Sequence, residues 1–130
     1  MEIVLSYQET VKDIKKQFNC EFPHLKIEFF TQPHVVGEGS PFKKMVPPST
    51  LLGEITGILR EGEIAFKADQ TVKEVEQLFQ QHFGLPVQVF RRQKDVWLET
   101  TSTDYLTLEE QNEMGRRASE VVTRQVEEQY

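Results

Sequence analysis

The sequence has one cysteine, no long apolar run and no secretion signal in its 130 residues. The lone cysteine, Cys20, cannot form an internal disulfide, so nothing points to an oxidising compartment. No apolar run approaches the ~20 residues that span a bilayer. The first residues also lack the basic and apolar regions of a signal peptide. We therefore expect a cytoplasmic protein with no membrane partner.

Basic residues and catalytic motifs are scarce as well. The sequence has 15 Lys and Arg residues and 21 Asp and Glu residues. The resulting net charge of −6 argues against a nucleic-acid partner. The three histidines and the cysteine show no metal-ligand spacing, and no serine sits in a nucleophile elbow. The sequence thus indicates no metal, no cofactor and no enzyme class, which favours a non-enzymatic protein.

What the sequence does contain is an internal repeat. Residues 2–30 and 63–91 align without a gap at a separation of 61 positions, and eight of the 29 aligned positions are identical. A repeat of this length is a complete supersecondary unit, so it constrains the architecture before any motif does. The identical pairs are Glu2/Glu63, Ile3/Ile64, Thr10/Thr71, Val11/Val72, Lys12/Lys73, Phe18/Phe79, Phe22/Phe83 and Phe29/Phe90.

Both copies carry the local signals of a strand, a helix and a second strand. A short apolar run precedes a threonine, Thr10 or Thr71, that is placed to cap a helix. Apolar side chains then recur on one helical stripe, and Pro23 or Gly84 ends the helix. In the closing strands the alternation is out of phase by one residue between the copies. A one-residue gap near Pro86 would restore the phase.

Two such units in tandem predict an α+β fold. A strand–helix–strand unit of this length usually closes a right-handed parallel crossover, so two units give the order βαββαβ. The expected result is one sheet with both helices on one face, which resembles the ferredoxin-like topology and carries no activity with it. A β-grasp-like second half is the alternative, and it needs two strands before the Thr71 helix.

The whole chain, 1–130, is predicted to be a single domain. It divides into the first copy (2–30), an insertion (31–62), the second copy (63–91) and a C-terminal hairpin strand and helix (92–130). The residues that the copies share lie on buried stripes and at caps, whereas the solvent-facing positions differ. The repeat is therefore expected to be a scaffold, with function in the insertion and after Arg91.

The glycine- and proline-rich segment 31–48 is the first candidate site. Long irregular loops are either functional or disordered. Its glycines and lysines could present N–H groups and cations to an anion, and its imidazole lies near a carboxylate. These features would make the protein a small-molecule or anion binder, with an enzyme as one version. The candidate ligand-binding residues are His34, Glu38, Ser40, Lys43 and Lys44.

The basic hairpin after the second copy is the second candidate site. Its candidate residues are Arg91, Arg92, Lys94 and Trp97. A basic turn beside an aromatic ring could bind an acidic peptide or stack a nucleotide base. The alternative is that Trp97 only anchors an edge strand. Single-stranded nucleic-acid binding through this hairpin is disfavoured by the net charge.

The leading hypothesis is a non-enzymatic protein- or peptide-interaction module of the cytoplasm. It would bind through the edge strand near Trp97, the 31–48 loop or the final helix, and self-association through the same surfaces is a variant of this hypothesis. The small-molecule or anion binder ranks second, and the nucleic-acid binder ranks third.

Overall fold

The structure is a computed structural model that describes residues 1–31, 45–55 and 61–128, with side chains up to Ser119 in the last helix. In these residues the chain is a mixed α and β structure with four helices and five strands. Their buried apolar side chains form one hydrophobic cluster. The elements are β1 (Glu2–Leu5), α1 (Val11–Glu21), β2 (Leu25–Phe29), α2 (Leu52–Ile55), β3 (Gly62–Ala65), α3 (Val72–Phe83), β4 (Val87–Gln93), β5 (Val96–Glu99) and α4 (Leu108–Glu128).

The strands of the described residues form two antiparallel sheets, so the expectation of one ferredoxin-like sheet is wrong. β1 pairs with β3, and β2, β4 and β5 form a three-stranded sheet in that order. Within each copy the helix joins strands of different sheets, and neither copy contains a parallel crossover. The crossover rule applies only where both strands lie in one sheet. Between α2 and α3 the described residues contain one strand, whereas the β-grasp-like alternative needs two.

Each strand of the first copy pairs with its counterpart in the second copy. Ile3 lies opposite Ile64, and Ile27 lies opposite Val89. Ile3 and Ile64 are 61 positions apart, whereas the pairs of β2 and β4 nearest to this spacing, Glu28/Gln88 and Ile27/Val89, are 60 and 62 apart. An antiparallel pair of counterpart residues is related by a local twofold axis at that point.

The helix caps lie where the sequence predicts them. The Thr10 hydroxyl accepts a hydrogen bond from the Asp13 N–H at 3.2 Å, and the Asp13 carboxylate accepts one from the Thr10 N–H at 3.1 Å. These bonds complete a capping box, and the bonds from Thr10 hold the pKa of Asp13 below its usual value. The Thr71 hydroxyl accepts from the Glu74 N–H at 3.1 Å and so caps α3, and Gly84 ends this helix with φ +69°.

Two segments outside the aligned copies also make equivalent contacts. The first two N–H groups of α1 donate to the carbonyl oxygens of Thr50 and Pro48, each at 2.9 Å. The first two N–H groups of α3 donate to the carbonyl oxygens of Leu106 and Asp104, at 3.0 and 2.9 Å. Both segments therefore satisfy N–H groups that have no partner inside their helix. These two segments belong to the regions that the sequence assigned to an insertion and a tail.

The terminal helix α4 packs on the rest of the chain through the fully buried Leu108 and through polar and small side chains. Gln111 is fully buried, donates to the Thr103 carbonyl at 2.7 Å and accepts from Arg91 at 2.8 Å. A Cβ added at Gly115 would lie 2.8 Å from the His24 Cβ, so only glycine allows this close approach. The C-terminal part of the chain thus forms the hairpin β4–β5 and the helix α4, as the sequence predicted.

Candidate functional site

The first candidate site of the sequence, His34, Glu38, Ser40, Lys43 and Lys44, lies outside the described residues. The ligand hypothesis that rests on this segment therefore stays a prediction.

The basic hairpin does not form one continuous surface. Arg91 is committed to α4, since its Nη1 donates to Gln111 Oε1 at 2.8 Å and lies 3.7 Å from the Met114 sulfur. Arg92 is exposed, and its Nε donates to the Lys94 carbonyl at 3.2 Å. Lys94 itself forms the turn, with φ +57°. The structure thus separates Arg91 from the other residues of the second candidate site.

The Trp97 ring on β5 lies near a lysine on β2, the strand at the opposite edge of the three-stranded sheet. The Lys26 Nζ lies 5.2 Å from the ring centroid of Trp97 and 5.2 Å from that of Phe90. The strand register explains the contact, because Lys26 lies opposite Phe90 and Trp97 lies opposite Arg92. A lysine ammonium at this distance is attracted to the faces of both rings. Sequence reasoning missed Lys26, since its only signal was a charged position on an alternating strand.

Lys26 and Trp97 belong to an open groove of about 590 Å³, which we call the lysine groove. Helix α1 supplies one wall through residues spaced i, i+3, i+4 and i+7, which share one helical face. Four of the seven lining residues are lysines, although the protein as a whole carries a net charge of −6. The lining residues are Lys12, Lys15, Lys16, Asn19, Lys26, Pro48 and Trp97.

A buried carboxylate forms ion pairs with two of the four lysines. The Glu28 side chain is 4% exposed, and its Oε1 lies 2.6 Å from the Lys15 Nζ and 3.4 Å from the Lys26 Nζ. Lys12 and Lys16, one helical turn apart, form no ion pair with any residue that the structure describes. The groove therefore keeps a positive charge that its own side chains do not cancel.

A second concave surface lies beside α3, and we call it the α3 cavity. It has a volume of about 110 Å³. Helix positions 61 residues apart line both places: Lys12 and Lys73, Lys15 and Glu76, Lys16 and Gln77, Asn19 and Gln80. Pro48 and Asp104, whose carbonyls accept from equivalent amides, also correspond. The two surfaces thus share a position in the fold but differ in charge. The lining residues of the cavity are Lys73, Glu76, Gln77, Gln80, Gln81, Val87 and Asp104.

Glu76 is the buried carboxyl of the α3 cavity. It is 7% exposed, and its Oε2 accepts a hydrogen bond from the Val89 N–H at 2.8 Å. The Thr100 hydroxyl donates to the Val89 carbonyl at 2.8 Å. Because the pairing of β5 with β4 ends at Glu99 and Phe90, the Val89 backbone bonds on this side to the Glu76 and Thr100 side chains instead of to β5. Burial raises the pKa of Glu76, the Val89 bond lowers it, and the negative charges of Asp104 and Glu99 raise it, so that it lies at about 8. Glu76 is therefore largely protonated at neutral pH.

The outer edge of β5 is a further surface. Among the described residues β5 pairs only with β4, and Val96 and Leu98 are 54% and 40% exposed. Trp97 between them is half-buried. An edge strand with exposed apolar side chains is able to accept a peptide contact.

Comparison with protein-family models, with curated proteins and with solved structures finds no match for this chain. No helix in the described part of the chain is long and apolar enough to cross a membrane. Residues 1–31, 45–55 and 61–128 contain no group of three or more His, Cys, Asp or Glu side chains that could hold a metal ion.

Proposed function

We propose that the protein is a non-enzymatic interaction module whose lysine groove binds an acidic segment of a partner protein. The observation that carries this proposal is the pair of unneutralised ammonium groups, Lys12 and Lys16, in a concave surface that also holds Trp97. A positive groove on an acidic protein attracts anionic ligands and repels other copies of the same surface. The partner we expect is a protein, and the location we expect is the cytoplasm, where the exposed, unpaired Cys20 would stay reduced.

The chemistry of the groove suits a peptide carboxylate. A lysine ammonium is a point charge on a flexible stem, so it can follow carboxylates whose spacing varies along a peptide. The half-buried Trp97 ring at the far end offers apolar contact for a neighbouring side chain. The Lys26 ammonium is held between two rings and by Glu28, so it fixes the floor of the groove.

Single-stranded nucleic acid is less well supported by the same groove. Nucleic-acid grooves combine phosphate contacts with several aromatic platforms for successive bases. Here Trp97 is the one aromatic side chain among the lining residues, and the whole chain carries a charge of −6. Peptide binding needs neither a second platform nor an overall positive charge.

We also infer that the two halves are copies of one unit. The counterpart strand pairs Ile3/Ile64 and Ile27/Val89 and the equivalent helix contacts support this inference. It explains why the lysine groove and the α3 cavity occupy corresponding places in the fold.

Fluorescence anisotropy with a labelled poly-glutamate peptide tests the proposed function, with labelled poly-lysine and labelled oligo-thymidine as parallel probes. We expect saturable binding of the acidic peptide alone. The charge reversal K12E/K16E should weaken it by at least about tenfold, since each lysine is worth roughly 1 kcal/mol in a partly exposed site. The control K67E/K73E makes the same change of charge outside the groove and should leave the affinity within about twofold.

Three outcomes would contradict the proposal. The first is that the acidic peptide does not bind, and the second is that both double variants weaken binding equally, which would indicate a general charge effect. Preferential binding of oligo-thymidine, lost in K12E/K16E, would assign the groove to single-stranded nucleic acid instead.

A further inference from the structure

We propose that the α3 cavity binds a primary ammonium group, either the end of a lysine side chain on a partner or a small aliphatic amine. This site is separate from the lysine groove and does not depend on the proposed function. The proposal rests on the position of the Glu76 carboxyl, on the charges that surround it and on the size of the cavity.

The Glu76 carboxyl is both buried and incompletely bonded. Oε2 accepts from the Val89 N–H at 2.8 Å, and Oε1 accepts from no described residue. A carboxylate has room for further donors on each oxygen. Because Glu76 lines the cavity, a ligand that enters it meets this free acceptor. An ammonium carries three N–H donors and no acceptor, so it matches such a site.

The charges around Glu76 favour a cation. Lys73 on α3, Asp104 on the segment before α4 and Glu99 on β5 are the charged groups near this carboxyl. None of the described lysines or arginines forms an ion pair with it. Two carboxyl groups and one ammonium thus lie near Glu76, and a buried carboxyl without a counter-ion is costly to ionise. A bound ammonium would supply the missing counter-ion.

In the lysine groove, the position that corresponds to Glu76 holds an ammonium that pairs with a buried carboxylate. There Lys15 projects from α1 and its Nζ lies 2.6 Å from the buried carboxylate of Glu28 on β2. In the α3 cavity the helix carries the carboxyl, Glu76, and the strand offers it only the Val89 N–H among the described residues. The carboxyl is thus present without its cation. We infer that the cation comes from outside the chain.

The dimensions of the cavity limit the ligand. A volume of about 110 Å³ admits an ammonium with a short alkyl stem and excludes a drug-sized molecule. Gln77, Gln80 and Gln81 line the walls, and their amide oxygens are additional acceptors for N–H groups. Val87 provides apolar contact for the alkyl stem.

Ammonium binding should release a proton. At neutral pH Glu76 is largely protonated because burial, Asp104 and Glu99 raise its pKa. An ammonium favours the ionised carboxylate and lowers that pKa, so binding and deprotonation are linked. The affinity should therefore increase as the pH rises from about 6 towards about 8, which a non-specific surface contact would not show.

Titration calorimetry with n-butylammonium chloride and with a short peptide containing one lysine tests the proposal. n-Butanol and the same peptide with an acetylated lysine are the neutral controls. Measurements in two buffers of different ionisation enthalpy report the proton release. We expect saturable binding of an ammonium probe, no binding of the neutral controls, and net proton release at pH 7.

Two variants locate the site. Glu76→Gln removes the charge and should weaken binding by at least about tenfold, equivalent to ~1.4 kcal/mol. Gln77→Lys leaves Glu76 in place and introduces a lysine at the position that corresponds to Lys16 of the groove. Its ammonium should compete with the ligand for the Glu76 carboxylate and so weaken binding as well. Glu109→Gln, with the same loss of charge outside the cavity, should bind as the natural sequence does. If Glu76→Gln fails to fold, Gln77→Lys still decides the question.

The probes distinguish the two sources of the ammonium. Tight binding of the peptide with weak binding of n-butylammonium would identify a partner lysine, and the reverse would identify a small amine. The proposal is overturned if neither probe saturates at millimolar concentration, or if binding is unchanged in both Glu76→Gln and Gln77→Lys. Acidic-peptide binding in the lysine groove would be unaffected by either result.

Discussion

Lys15 of α1 and Glu76 of α3 hold corresponding positions in two concave surfaces and have opposite chemistry. The Lys15 Nζ lies 2.6 Å from the Glu28 carboxylate, whereas the Glu76 carboxyl accepts from the Val89 N–H at 2.8 Å. The same position on two similar helices thus supplies a cation on one side and a carboxyl on the other. One fold thereby presents a basic groove and an acidic cavity, which is why the two surfaces are assigned different ligands.

Stability should decrease with rising pH because of Glu76. Its pKa is about 8 in the folded protein against an ordinary value of 4.5. A raised pKa gives stability that is complete below the unfolded value and is lost as the pH passes the folded value. We expect the free energy of unfolding to fall by roughly 4 kcal/mol between pH 4.5 and 8, at ~1.36 kcal/mol per unit. Urea denaturation across this range measures it.

The variant Glu76→Gln should remove most of this dependence, because a glutamine oxygen can still accept from Val89. The pKa values of Glu113 and Asp13 are lowered, so these groups change the stability below pH 4.5 and not between pH 4.5 and 8. A pH profile that is the same in Glu76→Gln and in the control Glu109→Gln would refute the assignment.

Removing the Glu28 charge should strengthen anion binding while it weakens the fold. The Glu28 carboxylate pairs with both Lys15 and Lys26 and offsets one of their two charges, so Glu28→Gln makes both ammonium groups available to a ligand. We expect an affinity gain of about three- to tenfold for the acidic peptide, and a loss of roughly 1–2 kcal/mol in unfolding free energy. Anisotropy and urea denaturation give the two quantities. Glu109→Gln is the matched control, and an unchanged affinity in Glu28→Gln would argue against the groove.

Gly115→Ala should destabilise the protein, although alanine is the better helix former by about 1 kcal/mol. The added Cβ would lie 2.8 Å from the His24 Cβ and 3.2 Å from the Arg92 carbonyl oxygen, so α4 would have to move. We expect a net loss of about 1–3 kcal/mol. The control Arg117→Ala changes a mostly exposed side chain on the same helix and should cost less than about 0.5 kcal/mol. Stabilisation by Gly115→Ala would show that the helix is free to shift.

Gly84→Ala should cost about 1 kcal/mol for a different reason. A Cβ at this position has nothing within 4 Å, but φ is +69°, which alanine rarely adopts. Thermal denaturation should therefore show a small loss, and Gly84→Asn should recover part of it, because asparagine tolerates the left-handed conformation better. An equal loss in both variants would contradict the conformational explanation.

The elements themselves were largely predictable from the sequence, because local chemistry determines them. The caps at Thr10 and Thr71 and the left-handed Gly84 act within one turn of the chain, and the structure confirms each of them. The buried Phe18 and Phe79 follow from helical periodicity alone.

The pairing of the strands and the candidate sites were decided only by the tertiary structure. Periodicity shows which face of a strand is buried and does not show which strand lies beside it. The predicted single sheet therefore failed when β1 paired with β3 while β2 paired with β4. The same long-range pairing brought Lys26 to Trp97 and committed Arg91 to α4. Local sequence determined the helices and strands, but contacts between distant segments created both concave surfaces.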